Sequence, residues 1–278
     1  MSGFAARLAP EVTTLALCWR IVRADGVALG FTTHDRDLVV AGLRHASAPG
    51  MLPSAISSGD GLEVDTMEVA GALSAGSITA GDLGSGRYDG ASVKVFMVDW
   101  AALEAGTLPL ARGTLGEVAR AASGAGGSFT AELRGPTAAF DALCIEVYSP
   151  ECRAELGDRR CRVDLAPLTM RAAAIAQDGA RLTVGGAGAD LDRFAQGRCR
   201  AISGDNAGID ARIVSGGAGW IELFEPLPFA VAAGTRLELR EGCDKRFATC
   251  SGRFANALNF RGEPHVPGGD LLTRFEIG

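Results

Sequence analysis

Apolar and polar residues alternate in short runs along most of this chain, and breaks rich in glycine, serine and aspartate separate the runs. That is the signature of strands joined by tight turns. Residues 13–23 read as a strand, Asp25-Gly26 is a turn signal, and residues 27–31 return as its partner, which predicts a hairpin. Further strands are predicted over 62–69, 92–99, 108–118 and 128–133, and strands this close in sequence pair most simply as a meander. Gly135-Pro136 interrupts the pattern, and residues 137–143 read as a short helix capped by Thr137. A boundary is therefore expected near residue 136, with an N-terminal β-rich domain over 1–136 and a C-terminal domain over 137–278.

The same alternation resumes further on. Strands are predicted over 168–176 and 181–184 around Asp178-Gly179, over 199–203 and 209–214 around a turn at 204–208, over 220–224 after the glycine run 216–219, and over 235–239. Six strands of this size suit a small barrel or sandwich, inserted at about 165–241. The expected fold class is mainly β with a few short helices.

Composition narrows the reading. With 278 residues, 47% of them hydrophobic, the chain can bury a real core. It has no run of eighteen apolar residues, and its first residues lack the features of a secretory signal, so synthesis in the cytoplasm and no membrane insertion are expected. A formal charge of -6 and a pI near 5.2 argue against non-specific binding to nucleic acid or an anionic membrane. Sequence-specific nucleic-acid binding is not expected either.

Four of the seven cysteines fall into two pairs, Cys152 with Cys161 and Cys243 with Cys250, each in a basic, turn-rich segment. An odd count of cysteines in a cytoplasmic chain speaks against a disulfide framework, and paired thiolates beside positive charge point to a metal or cluster site. Soft sulfur ligands select zinc or iron–sulfur. Structural zinc sites place paired cysteines two to four residues apart, whereas these pairs enclose eight and six residues, which leans toward a larger object such as a [4Fe–4S] cluster. Arg153, Arg159, Arg160, Arg162, Lys245, Arg246 and Arg253 would offset the charge of such a cluster. Because 81 residues separate Cys161 from Cys243, a centre held by all four would clasp the neck of the predicted barrel. Cys18, Cys144 and Cys199 sit in apolar surroundings and read as small core residues.

Catalytic readings find little support. His34-Asp35-Arg36-Asp37 gathers a base and carboxylates without a nucleophile in a recognisable frame and reads as a polar turn. The glycine runs 185–188 and 216–219 lack the strand and helix of a phosphate loop and read as hairpin turns. His265, between Pro264 and Pro267, is expected to pack in a docking segment rather than to ligate.

Three stretches carry a resemblance. Tyr148-Ser-Pro-Glu-Cys152 through Gly157-Asp158 to Cys161, Gly242-Cys243-Asp-Lys-Arg to Cys250, and the tail from Arg253-Phe-Ala-Asn256 through Asn259, Gly262 and His265 to Gly268 resemble the C-terminal region of phage tail-tip hub proteins. That family includes the tail-tip protein of lambdoid phages and the hub proteins of gene transfer agents, and residues 19–35 resemble the first domain of the latter. The resemblance implies a structural, non-enzymatic baseplate hub of a phage-like tail, connecting the distal tail ring to the central tip or fibre protein. It further implies Cys152, Cys161, Cys243 and Cys250 as ligands of a structural [4Fe–4S] cluster that staples the inserted barrel. A homotrimer is implied, in which two similar β-domains of each chain mimic subunits of a six-fold ring. Implied partners are the distal ring, the large central tip protein and a tail-associated cell-wall peptidase. The finished protein would reside in the baseplate of a particle released from the cell. An iron–sulfur redox protein and a zinc-stapled hub remain the alternative readings.

Overall fold

The computed structural model describes residues 4, 7–48, 52–53, 66–72, 79–121, 128–135, 138, 145–186 and 190–266. In it the alternating pattern becomes two separate β systems, one in each of two units, Met1–Leu143 and Cys144–Gly278.

The first unit is built on a nine-stranded sheet. Its strands are β1 (Leu15–Val22), β2 (Ala28–Thr32), β3 (Leu38–Val40), β4 (Leu43–Ser47), β5 (Leu52–Pro53), β6 (Thr66–Ala72), β7 (Ser92–Asp99), β8 (Thr107–Ala121) and β9 (Ser128–Arg134). They lie in the order β3-β4-β2-β1-β7-β8-β9-β6-β5. The β1–β2 hairpin turns where predicted, with Gly26 at φ +87° and an ion pair between Arg23 and Asp25. The β7-β8-β9 run is the predicted meander. Two pairings depart from local order: β1 runs antiparallel to β7, Leu15 opposite Asp99, and β2 runs parallel to β4.

The hairpin β3–β4 escaped the pattern because its strands are short. Its tight turn is Ala41-Gly42, both at positive φ (48° and 77°). Both Cys18 and Trp19 are buried on β1, since the sheet is covered on both faces: Trp19, Phe31 and Val95 pack on one side, Cys18, Val40 and Val98 on the other. Cys18 is thus a core residue; its thiol is raised by burial and donates to Thr32 Oγ1 at 3.5 Å. Residues 33–37 form the expected polar turn. Arg36 N–H donates to His34 Nδ1 at 3.0 Å, and Ser47 N–H to Asp37 Oδ1 at 2.8 Å. The helix expected over 137–143, apart from residue 138, and Cys144 lie outside the described residues.

In the second unit all six predicted strands are present and close on themselves. They are β10 (Thr169–Asp178), β11 (Arg181–Gly185), β12 (Arg198–Ala201), β13 (Asp210–Gly217), β14 (Trp220–Leu223) and β15 (Arg236–Arg240). Their order around the barrel is β10-β11-β14-β13-β12-β15, with β15 returning to β10. Glycines at positive φ make the turns at Gly179 and Gly219. Of the run 185–188, residues 187 and 188 fall outside the described set.

Alternate residues point inward, so that Leu182, Phe194, Ile213, Ile221, Leu237 and Leu239 are fully buried. Cys199 belongs to this core, and desolvation pushes its thiol up to about 12. Among the described residues no helix is long and apolar enough to cross a membrane.

Leu237 lies at the seam between β10 and β12, where its loss leaves a cavity in a closed wall. Leu237→Ala is expected to lower barrel stability by about 3 kcal/mol. Hydrogen exchange of the β10, β12 and β15 amides reads that loss directly, with the first unit serving as internal reference.

Candidate metal centre

Closure of the barrel places its first and last strands side by side, Thr169 opposite Arg240, and Glu241 N–H extends the ladder to Leu168 O at 2.9 Å. The chain before β10 and the chain after β15 therefore leave from one end of the barrel. Residues 145–165 contain no helix or strand, so their backbone groups are satisfied by other means. Cys152 N–H donates to Lys245 O at 2.8 Å and Arg153 N–H to Arg261 O at 2.9 Å. Glu263 N–H donates to Ser149 O at 2.8 Å, and Ser149 N–H to Glu263 Oε2 at 3.0 Å. The approach is close enough that a Cβ on Gly262 would lie 2.4 Å from Glu151 O, so only glycine fits there.

Each cysteine sits on a short polar device. Asp158 organises the turn to Cys161, accepting from the N–H groups of Glu155 (3.0 Å), Arg160 (2.8 Å) and Cys161 (2.6 Å). These bonds, Cys161 N–H first, hold its carboxyl below the usual range. Asp244, next to Cys243, accepts from Arg246 N–H at 3.0 Å and from Thr249 Oγ1 at 2.8 Å, and so begins the helix Phe247–Gly252 that carries Cys250. Lys245, at φ +63°, sends its ammonium back to Ala154 O (2.6 Å) and Glu155 (3.1 Å).

Asn256 links two of the four cysteines. Its side-chain amide donates to Cys161 O at 2.7 Å and reaches Cys161 Sγ at 3.7 Å, while its backbone carbonyl accepts from the Cys250 thiol at 3.4 Å. Asn259 fixes the amide by donating to Asn256 Oδ1 at 2.7 Å. Cys152 Sγ accepts from Arg261 N–H at 3.3 Å.

Cys152, Cys161 and Cys243 all lie within electrostatic reach of Cys250. The thiol of Cys250 is raised by burial and then by Cys152, Cys243 and Cys161; that of Cys243 is raised by burial, eased by Lys245, and raised again by Cys152. None of the six described cysteines is in a disulfide. Among the described residues, no three His, Cys, Asp or Glu side chains converge closely enough to hold one metal ion. Arg153 Nε, one residue from Cys152, is buried without a hydrogen-bond partner among the described residues.

The basic residues behave differently from expectation. Arg153 grips Glu263 in a two-pronged fork (2.7 and 2.9 Å), Arg160 pairs with Glu146 (3.1 Å), and Arg253 pairs with Glu241. They act first as clamps between segments rather than as free charge around the thiols, because each has a carboxylate within reach. His265, expected to pack, is exposed. The supporting roles of Asp158, Asn256, Asn259 and Glu263 were missed in the sequence, although aspartate and asparagine just before or after cysteines in turn-rich stretches are a signal for such local capping.

Residues 1–164 match the family described as "Baseplate hub protein, N-terminal attachment domain". Residues 192–270 match the family described as "Phage conserved hypothetical protein BR0599". A chain of the solved "Virion of native gene transfer agent (GTA) particle" is similar across 99% of this chain and 95% of that one, with 42% sequence identity and a TM-score of 0.84. No curated protein matches.

The Arg153 fork, followed by Ser149 N–H, lowers the Glu263 carboxyl from 4.5 to about 2. A carboxyl held below its unfolded value stabilises the fold above that value, and the contribution disappears as pH falls through the folded one. Glu263→Gln is therefore expected to destabilise the second unit at neutral pH, with the gap to wild type shrinking between about 4.5 and about 2. Urea unfolding across that range, on both proteins, checks the sign.

Proposed function

The chain belongs to the baseplate hub protein family, and on that premise we propose that it is the structural hub of a gene-transfer-agent-like tail, joining the distal tail ring to the central tip or fibre protein. The observation that carries this reading is the near full-length similarity to a protein of a gene transfer agent virion, which spans both units. On this reading the protein assembles as a homotrimer within the particle, contacts the distal ring, the central tip protein and a cell-wall peptidase, and performs no catalysis itself. The two units differ in architecture, one a nine-stranded sheet and the other a closed six-stranded barrel. Mimicry of ring subunits therefore does not extend to two copies of one fold.

Cys152, Cys161, Cys243 and Cys250 are the ligands we assign to a [4Fe–4S] cluster, which would supply a covalent cross-link between the two irregular segments. Three features support the fit. Burial, followed by the nearby Cys152, Cys243 and Cys161, opposes ionisation of the Cys250 thiol, and a cationic centre would relieve that. The gaps of eight and six residues within the two pairs suit a multi-iron cluster better than a single zinc ion, whose paired cysteines usually lie two to four residues apart. N–H donors at Cys152 and Cys161, and the unpartnered Nε of Arg153, suit a sulfur-rich, negatively charged group.

Anaerobically purified protein is expected to be brown, with matched iron and sulfide that vanish in Cys243→Ser. Stoichiometric zinc instead would replace the cluster reading with the zinc-stapled one, and absence of any metal would overturn both. Asn256→Ala is expected to keep the barrel folded while releasing iron to a chelator faster. Light scattering tests the assembly separately: a mass near three times 28.6 kDa supports the trimer, and a monomer at all concentrations opposes it.

A further inference from the structure

We propose that one face of the barrel is a docking surface for an acidic segment of a partner protein. Strands β10, β15, β12 and β13 are successive neighbours. The four strands carry Arg171, Arg198, Arg200, Arg212, Arg236 and Arg240, against Asp178, Asp210 and Glu238. The register compounds the charge. Arg198 stands directly opposite Arg240 on one side and Arg212 on the other, an arrangement of like charges that weakens a sheet.

Arg198 reaches Asp210 at 3.0 Å and Arg240 reaches Glu238 at 3.8 Å. Arg171, Arg200, Arg212 and Arg236 are exposed and have no carboxylate partner among the described residues. Arg171 and Arg200 stand opposite Glu238, and Arg200 also opposite Asp210, yet a chain with net charge -6 still keeps a surplus of arginine over carboxylate on this face. An external anion accounts for that arrangement.

The kind of anion follows from the surroundings. Next to this face lies an open groove of about 590 Å³, walled by Arg171 and Arg236 and lined by Ala173, Gly185 and Ile202. Ile175, 56% exposed, packs over Gly185 beside it. Every cation here is arginine, whose planar fork suits carboxylates. None of the four strands carries an aromatic residue, so the face lacks the stacking platform that nucleic-acid bases and sugar rings use. An apolar centre rimmed by arginine is the composition of protein interfaces. The occupant is therefore an acidic peptide segment with an apolar side chain for the groove. The four cysteines lie on none of these strands, so the inference stands apart from the metal assignment.

The test uses the full chain and a short fluorescein-labelled peptide rich in glutamate with interspersed leucines. Fluorescence anisotropy is expected to show binding that weakens with added salt and falls at least about tenfold in an Arg171→Glu/Arg236→Glu variant. Arg36→Glu/Arg112→Glu, in the other unit, makes the same change in net charge and leaves binding unchanged. Arg212→Glu is expected to weaken binding while raising the thermal midpoint of the barrel, since it removes a like-charge opposition. No binding by wild type, indifference to the double variant, a lowered midpoint for Arg212→Glu, or tighter binding of polygalacturonate or duplex DNA than of the peptide would overturn the proposal.

Discussion

The antiparallel pairing of β10 with β15 is the contact on which the second unit depends. Bringing together Thr169 and Arg240, 71 positions apart, costs about 4–5 kcal/mol of chain entropy. Barrel closure meets that cost with a continuous apolar core and a hydrogen-bonded wall that leaves no free edge. The cysteine segments therefore inherit their proximity. Few of their residues are buried, chiefly Ala154, Cys161 and Cys250, and no apolar core of their own orders them. Their shape comes from polar clamps instead, the Arg153–Glu263 fork, the Asp158 turn and the Asn256 bridge. Dependence thus runs from barrel to site. A cross-link among the four thiols would order the irregular shell more than it would hold the barrel, which reverses the staple that family resemblance suggests.

This ordering also explains what could be read in advance. Strands within β10–β15 were legible because period-two burial and glycine turns act over a few residues, and the sequence there follows them apart from bulges near Ala174–Ala176 and Ile213–Ser215. The β1–β2 hairpin and the β7-β8-β9 meander were legible for the same reason. The pairing of β1 with β7 was not, because nothing local to residues 15–22 specifies a partner more than seventy residues away. Sheet-on-both-faces burial hid it further: Cys18 and Trp19 are adjacent and both buried, which breaks the alternation that usually marks an edge.

The four cysteines announced themselves by residue type and spacing, since thiols in basic turns have few other uses. Their supporting residues did not. Asn256 lies 95 residues from Cys161, and Glu263 lies 110 from Arg153, so their roles exist only after the barrel has closed. The basic residues misled for a related reason. A sequence shows that Arg153, Arg160 and Arg253 are near the thiols, but not that Glu263, Glu146 and Glu241 reach them first.

Two features run against the local interests of the fold. Burial and three neighbouring thiols oppose ionisation of the Cys250 thiol, and three arginines are aligned across β15, β12 and β13 in directly opposed positions. Elsewhere the chain is largely consistent, with glycine at most positions of positive φ and an apolar barrel interior. Consistency of that kind makes the exceptions informative, because stability alone would have removed them. A cationic centre would relieve the first; the chain's own Asp210 and Glu238 relieve the second only at Arg198 and Arg240, and an acidic partner would complete it at Arg212. On the proposed hub role, such chemistry belongs at the surfaces where the chain meets other parts of the particle. The barrel, closed around its own apolar core, is an element suited to carry it.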